Sequence, residues 1–364
     1  MLSLVLLAGL STVTSASPPP PQTPTFPAGT SVIRLDVSVV DKRGRPVPGL
    51  TPADFEVKEN GRAVALTYFE AVSGGPPPPA QTPAVGERAL PSSAARRILL
   101  LVDAGSMGLG ALRRARQAVS AYVLEAQEGD WLRLVNLGTG ETWDGEIPAQ
   151  RHRLLAAARA LQHRPSLWAR NLAGADPIVE RTDAAPERGL PSSAETSGQF
   201  LSQFAQSAGL LGTLEALLTE LEGVPGRKAL VFISSGFPQM RGLDRRLQRV
   251  ASLARQGATT VYFVDATGQD GLIPEPGRRL APAFETAWLR SGGAQDLAEA
   301  TGGFTSRFHG SLLPALRNAA AEMRTYYVVG YAPPAGEGRF RRVAVKVKVP
   351  GLSARTKKGY LAPR

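Results

Sequence analysis

The residues able to do chemistry are few in this 364-residue chain, and several stand at the ends of apolar runs. Asp103 closes ILLLVD, Ser234 and Ser235 close KALVFISS, and Asp265 closes TTVYFVD. A carboxylate or hydroxyl in such a place can contribute to a cation site or cap the following turn by accepting from its N–H groups. Nucleophilic chemistry would need more. Ser234-Ser235-Gly236 lacks the G-x-S-x-G elbow, and no His follows at a telling position. Gly105, Gly108 and Gly110 give the order G-x-x-G-x-G with no Walker lysine, a weak phosphate-loop signal. Asp265 in FVDATG reads as a turn residue. The chain has no Cys and only three His, at 152, 163 and 309. Disulfides, thiolate metal sites, cysteine nucleophiles and a lipidated Cys are therefore excluded, and three His so far apart in sequence argue against a His-rich metal centre.

These residues need a scaffold, and its pattern is legible. Ile98 to Val102, Lys228 to Ile233 and Thr259 to Val264 are continuous apolar runs, the mark of strands covered on both faces. Helical spacing recurs at Leu109 to Ala126, Arg151 to Leu161, Leu210 to Leu221, Leu243 to Arg255, Ala294 to Ala300 and Leu312 to Met323. Trp131 to Leu137 is a further strand and Gly303 to Phe308 an edge-strand candidate. Strands alternating with helices predict a Rossmann-like, doubly wound, mostly parallel α/β sheet. Ligands of such sheets bind beyond the carboxyl ends of the strands, near the reversal in strand order. That rule selects Asp103, Ser234, Ser235 and Asp265.

The flanks are β-rich. SVIRLDVSVVD alternates, and two shorter strands surround the Asn60-Gly61 turn. TYYVVGY, RRVAVKVKV and ARTKKGYLA follow the last helix. Each set alone is too small to be stable, so residues 31–72 and 325–364 are expected to pack into one smaller β-sandwich. The α/β domain, 96–324, is then inserted between them. Residues 73–95 read as a Pro-rich linker and 163–195 as an irregular insertion. Residues 1–16 read as a signal peptide and 17–30 as a Pro-rich leader. No stretch is apolar for long enough to span a bilayer, so an exported protein, periplasmic or secreted, is expected.

Lys plus Arg is 42 against 31 Asp plus Glu, a formal charge of +11, and residues 324–364 carry ten of the cations and one acid. A basic end can bind nucleic acid or an anionic surface. Export argues against nucleic acid. An anionic envelope polymer meeting Lys346, Lys348, Lys357 and Lys358 is then a better match than nucleic acid, and the plainer reading, a solvated sheet face, is preferred to either.

Four segments together resemble the bacterial von Willebrand factor A-related domain proteins. They are VVDKRGRPVPGLTPADFEVKENGRAVALTYF, ILLLVDAGSM, LEGVPGRKALVFISSGFP, and YYVVGYAPP followed by GRFRRVAVKVKVPGLSARTKKGY. The resemblance covers nearly all of the chain after the leader. It implies a Rossmann-like fold around a metal-ion-dependent adhesion site with D-x-S-x-S, a later Thr and a later Asp. Asp103 matches the first Asp. Without a gap the two Ser positions fall on Gly105 and Met107; with a one-residue deletion Ser106 matches the second. Thr213 matches the Thr, and Ser234 or Ser235 replaces the later Asp. One carboxylate is a poor ligand set for Mg²⁺, which wants six hard oxygens. The resemblance thus implies a degenerate site with weak or absent Mg²⁺ binding. It also contributes an adhesion or protein-interaction theme; with no catalytic constellation among the residues, the expected role is non-catalytic, with an unidentified protein partner held by the loops bearing Gly105, Met107 and Asp265. The alternative is an envelope-associated structural module whose basic β-sandwich contacts an anionic polymer.

Overall fold

The computed structural model describes residues 32–73, 96–162, 193–267, 280–334 and 340–362. The expected signal peptide and leader lie outside the described residues. So do the linker beyond residue 73 and the insertion up to residue 192.

The first strands are β1 (Ile33–Val40), β2 (Phe55–Glu59), β3 (Arg62–Val64) and β4 (Tyr68–Val72). The α/β part follows as β5 (Arg96–Val102), α1 (Leu109–Glu125), β6 (Asp130–Asn136), β7 (Thr142–Glu146), α2 (Arg151–Ala160), α3 (Ser193–Glu222), β8 (Lys228–Ser234), α4 (Asp244–Gln256), β9 (Thr259–Asp265), α5 (Leu280–Thr301), β10 (Thr305–Ser306) and α6 (Leu313–Glu322). The chain ends with β11 (Tyr326–Tyr331), β12 (Phe340–Val347), β13 (Ser353–Arg355) and β14 (Gly359–Leu361).

The central sheet has the order β10-β9-β8-β5-β6-β7. All its pairings are parallel except β6 with the edge strand β7. Side chains alternate across it, as pleating requires. Ile98, Leu100 and Val102 pack with α1, α2 and α6, whereas Leu99 and Leu101 pack with α3, α4 and α5. Two apolar layers thus cover both faces, which is why β8 and β9 are buried along their whole length. In order of chain entry the six strands run 6-5-4-1-2-3. The reversal falls between β5 and β8, where a doubly wound sheet opens a crevice.

The flanking strands form two four-stranded sheets, β13-β1-β11-β4 and β14-β12-β2-β3. Each mixes early and late chain segments: β1 pairs with β11, and β2 with β12. One apolar cluster draws on both sheets, with Leu35, Val37, Tyr327 and Val329 from the first and Phe55, Val57, Val343 and Val347 from the second. ARTKKGYLA, expected as a single strand, is divided between β13 and β14, which belong to different sheets.

Ionic contacts join these sheets to the α/β part. Arg227 donates from Nη2 to Ser38 Oγ at 3.0 Å and from Nη1 to the Glu322 carbonyl at 3.2 Å. Arg355 pairs with the Glu322 carboxylate.

Candidate functional site

The site lies at the carboxyl ends of β5 and β8, on either side of the strand reversal. Asp103 follows β5 directly. Its N–H donates to the Ile233 carbonyl at 2.9 Å, which extends the sheet ladder by one residue. The chain then enters a single 3₁₀ turn, Ala104–Ser106, for which Asp103 is the N-cap. That turn folds Ser106 back over the strand end.

The result is a compact polar knot. Ser234 Oγ donates to Asp103 Oδ2 at 2.8 Å and accepts from the Gly236 N–H at 2.9 Å. Ser106 Oγ donates to the Asp103 carbonyl at 3.0 Å, lies 3.2 Å from Ser234 Oγ and accepts from the Ser235 N–H at 3.2 Å. Each hydroxyl has one proton, and both protons are already used. Asp103, Ser234 and Ser235 are buried, and only Ser106 is exposed. Ser234 is therefore out of a substrate's reach.

Burial pushes the Asp103 carboxyl above its ordinary value of 3.8, against the hydrogen bonds of Ser106 and Ser234, which lower it. An acid raised in this way favours the folded state while protonated. The contribution of this one group to stability is then greatest in acid and is lost as pH rises through the interval above 3.8. Asp103→Asn removes the buried charge and keeps an oxygen for Ser234. We expect its melting midpoint to exceed the parent's by a few degrees at pH 7 and to equal it near pH 3. Thermal melts at the two pH values check this; a lower midpoint at pH 7 would show that the ionised carboxylate is needed.

The rim continues to β9, where the Ala266 N–H donates to the Ser234 carbonyl at 2.9 Å. Asp265 is buried, and its Oδ1 accepts from the Thr267 N–H at 2.9 Å and from the Thr267 hydroxyl. This is the turn-capping geometry expected for it. Burial raises its carboxyl above the ordinary value, Thr267 opposes that rise, and Arg307 and Arg290 add to the opposition.

Thr213 is not brought to this knot. It is exposed on α3 and donates to the Gly209 carbonyl at 3.2 Å. Met107 is fully buried in the layer of α1, α2 and α6, so its side chain packs the core and is not presented to a partner. Gly105 is half-buried in the turn. Two rim residues escaped the sequence reading. Leu109, the first residue of α1, is 82% exposed beside the Ser106 turn. Arg114 donates from Nη2 to the carbonyls of Ala266 and Thr267, at 3.1 and 2.7 Å, and so fastens α1 to the loop after β9. Leu109 could have been found as a Leu outside its helix's apolar stripe; Arg114 left no such signal.

The four lysines of the expected basic face are divided. Lys346 is exposed on β12 opposite Glu56, and Lys348, exposed just beyond the end of β12, donates from Nζ to the Ala53 carbonyl at 2.8 Å. Lys358 pairs with Glu299 at 2.7 Å. Lys357 is half-buried, and its amine is lowered by burial, with Asp36 opposing and Arg255 reinforcing.

Among the described residues, no group of three or more His, Asp and Glu could hold a metal ion, and no helix is long and apolar enough to cross a membrane. No family model matches the chain, and no curated protein matches it. Among solved structures it is similar to the von Willebrand factor type A from Catenulispora acidiphila, at 10% identity and a TM-score of 0.37. That alignment covers 93% of this chain and 76% of the other.

Proposed function

We propose that this chain is an exported, non-catalytic binding module of the von Willebrand factor A type. On this reading it captures a protein partner through the loops at the carboxyl ends of β5, β8 and β9. The observation that carries it is the knot of Asp103, Ser106 and Ser234, which sits at the strand reversal and satisfies itself. The strand order and the four sequence segments support the fold type. We read the two flanking sheets as a β-sandwich into which the α/β domain is inserted.

Metal dependence is lost on this reading. The knot offers a cation one carboxylate and two hydroxyls, and these already bond each other. A tight Mg²⁺ site takes about six oxygens, with carboxylates supplying charge; the residues present do not fit one. Affinity then rests on shape and apolar contact, for which Leu109 is the exposed anchor. Leu109→Asp and Ser106→Arg are each expected to weaken capture of the partner from envelope extract at least 10-fold. The melting midpoint of Leu109→Asp should stay within a few degrees of the parent's, that of Ser106→Arg should fall because the knot loses its hydroxyl, and added EDTA should change nothing. Undiminished capture by both variants would refute the loop assignment. An envelope module gripping an anionic polymer through its lysines fits less well, because of the four only Lys346 lies on an exposed strand face, Lys357 is half-buried and Lys358 is paired with Glu299. Salt-sensitive pull-down onto anionic envelope material, unaffected by the loop variants, would favour it.

A further inference from the structure

A cavity lies away from the strand ends, where the α/β part meets the C-terminal strands. Its volume is about 580 Å³, within the range of about 300–1,000 Å³ usual for small-molecule sites. Helix α4 presents Leu247, Ala251 and Arg255 to it, spaced four apart and so on one stripe. Helix α5 contributes Asp296, Leu297 and Ala300. The opposite wall is the cross-strand pair Phe340 and Leu361 of β12 and β14, which are 52% and 64% exposed. Two large apolar side chains held at the mouth of a cavity are unfavourable in water unless something covers them.

Arg255 sets the chemistry. Its guanidinium lies 5.5 Å from the centre of the Phe340 ring, and its Nη2 donates to Ser252 Oγ at 2.7 Å. It forms no ion pair among the described residues. The cavity's acids do not serve it: neither Asp244 nor Asp296 pairs with it, and the charges acting on Asp296 are Glu299 and Lys358. The charge that Arg255 shares its surroundings with is Lys357, of the same sign. Burial alone holds Arg255 below its usual value. Arg255 thus has no carboxylate partner among the described residues, and an oxyanion from outside can take that place.

We propose that this cavity is a binding site for a single-chain amphiphilic anion, with the oxyanion head on Arg255 and the apolar chain covering Phe340, Leu361 and Leu247. Cation and aromatic ring together accept a planar or tetrahedral oxyanion at the point where the apolar wall begins. The head is a carboxylate or a monoester phosphate.

Calorimetric titration of the full chain with decanoate, decyl phosphate and decyltrimethylammonium, each below its micelle concentration, tests this. One or both anions should bind at a single site at least 10-fold tighter than the cation of equal tail, and the tighter anion identifies the head. Arg255→Gln should weaken anion binding at least 10-fold without changing the cation. Leu361→Glu places a negative charge at an exposed mouth position and should weaken the anions at least 10-fold relative to the cation; it decides the matter if Arg255→Gln does not fold. Anions that bind no better than the cation, no saturable binding below millimolar concentration, or parental anion binding by Leu361→Glu would each overturn the proposal.

Discussion

Glu322→Ala is expected to cost about 3–5 kcal/mol of stability, which lowers the melting midpoint by on the order of 10 °C. Glu322 ends α6 and is fully buried. Its carboxylate pairs with Arg355 of β13 and accepts from the Tyr262 hydroxyl of β9 at 3.3 Å. Arg227, just before β8, donates to the Glu322 carbonyl, reaches Ser38 of β1, lies 3.9 Å from Asp36 and covers the Tyr326 ring at 4.5 Å. Removing the carboxylate leaves Arg355 and a buried phenol without their partner. Those charges were desolvated when the α/β part met the flanking sheets, so the loss falls on that seam. Glu322→Gln keeps an acceptor and should cost less than Ala. Chemical denaturation measures both; a loss under about 1 kcal/mol for Ala would mean that the seam is held by its apolar contacts alone.

Glu59→Ala is the second large effect, and it acts inside the flanking sheets. Glu59 Oε2 accepts from the hydroxyls of Tyr331 and Tyr360 at 2.7 and 2.8 Å, and Oε1 accepts from Arg341 Nη1 at 2.7 Å. An early strand is thereby tied to three late ones. Each buried hydroxyl left unpaired costs about 1–3 kcal/mol. Burial pushes the Glu59 carboxyl up, but Tyr331, Tyr360 and Arg341 together outweigh it and hold the group below its ordinary 4.5. A depressed acid contributes stability above its unfolded value, and that contribution is lost as pH falls through the folded value. Glu59→Gln should therefore be clearly less stable than the parent at pH 7 and approach it as pH falls below the ordinary 4.5. A difference independent of pH would contradict the ionised network.

The apolar runs that became β5, β8 and β9 were legible because both faces of the sheet are covered. The reading of Asp103, Ser234 and Ser235 as neighbours followed from the same pattern. Strand β7 was not legible. Its sequence TWDGE carries no apolar run, since an antiparallel edge strand need not be covered on both faces, and none of its residues is fully buried. Helix α5 showed only its last turns, because Ser291-Gly292-Gly293 reads as a break. Gly293 is needed within the helix: a Cβ there would stand 2.4 Å from the Phe237 ring. The division of ARTKKGYLA into two strands was hidden for a similar reason. Thr356 packs so tightly on Gly302 that a Cβ on the glycine would lie 2.6 Å from its carbonyl carbon, and the chain changes sheets around that contact. Thr213 was placed by motif order, which carries no information about helical phase. Glu59 and Glu322 look like ordinary surface acids in sequence, and partners such as Tyr331 and Tyr262 lie 272 and 60 positions away.

The central claim is that the strand-end knot makes contact without a metal. Isothermal titration of the intact chain with Mg²⁺ and with Mn²⁺, beside Asp103→Ala, tests it most directly. The expected result is no saturable binding tighter than millimolar in either protein. One-to-one binding tighter than that in the parent, abolished in Asp103→Ala, would contradict the account.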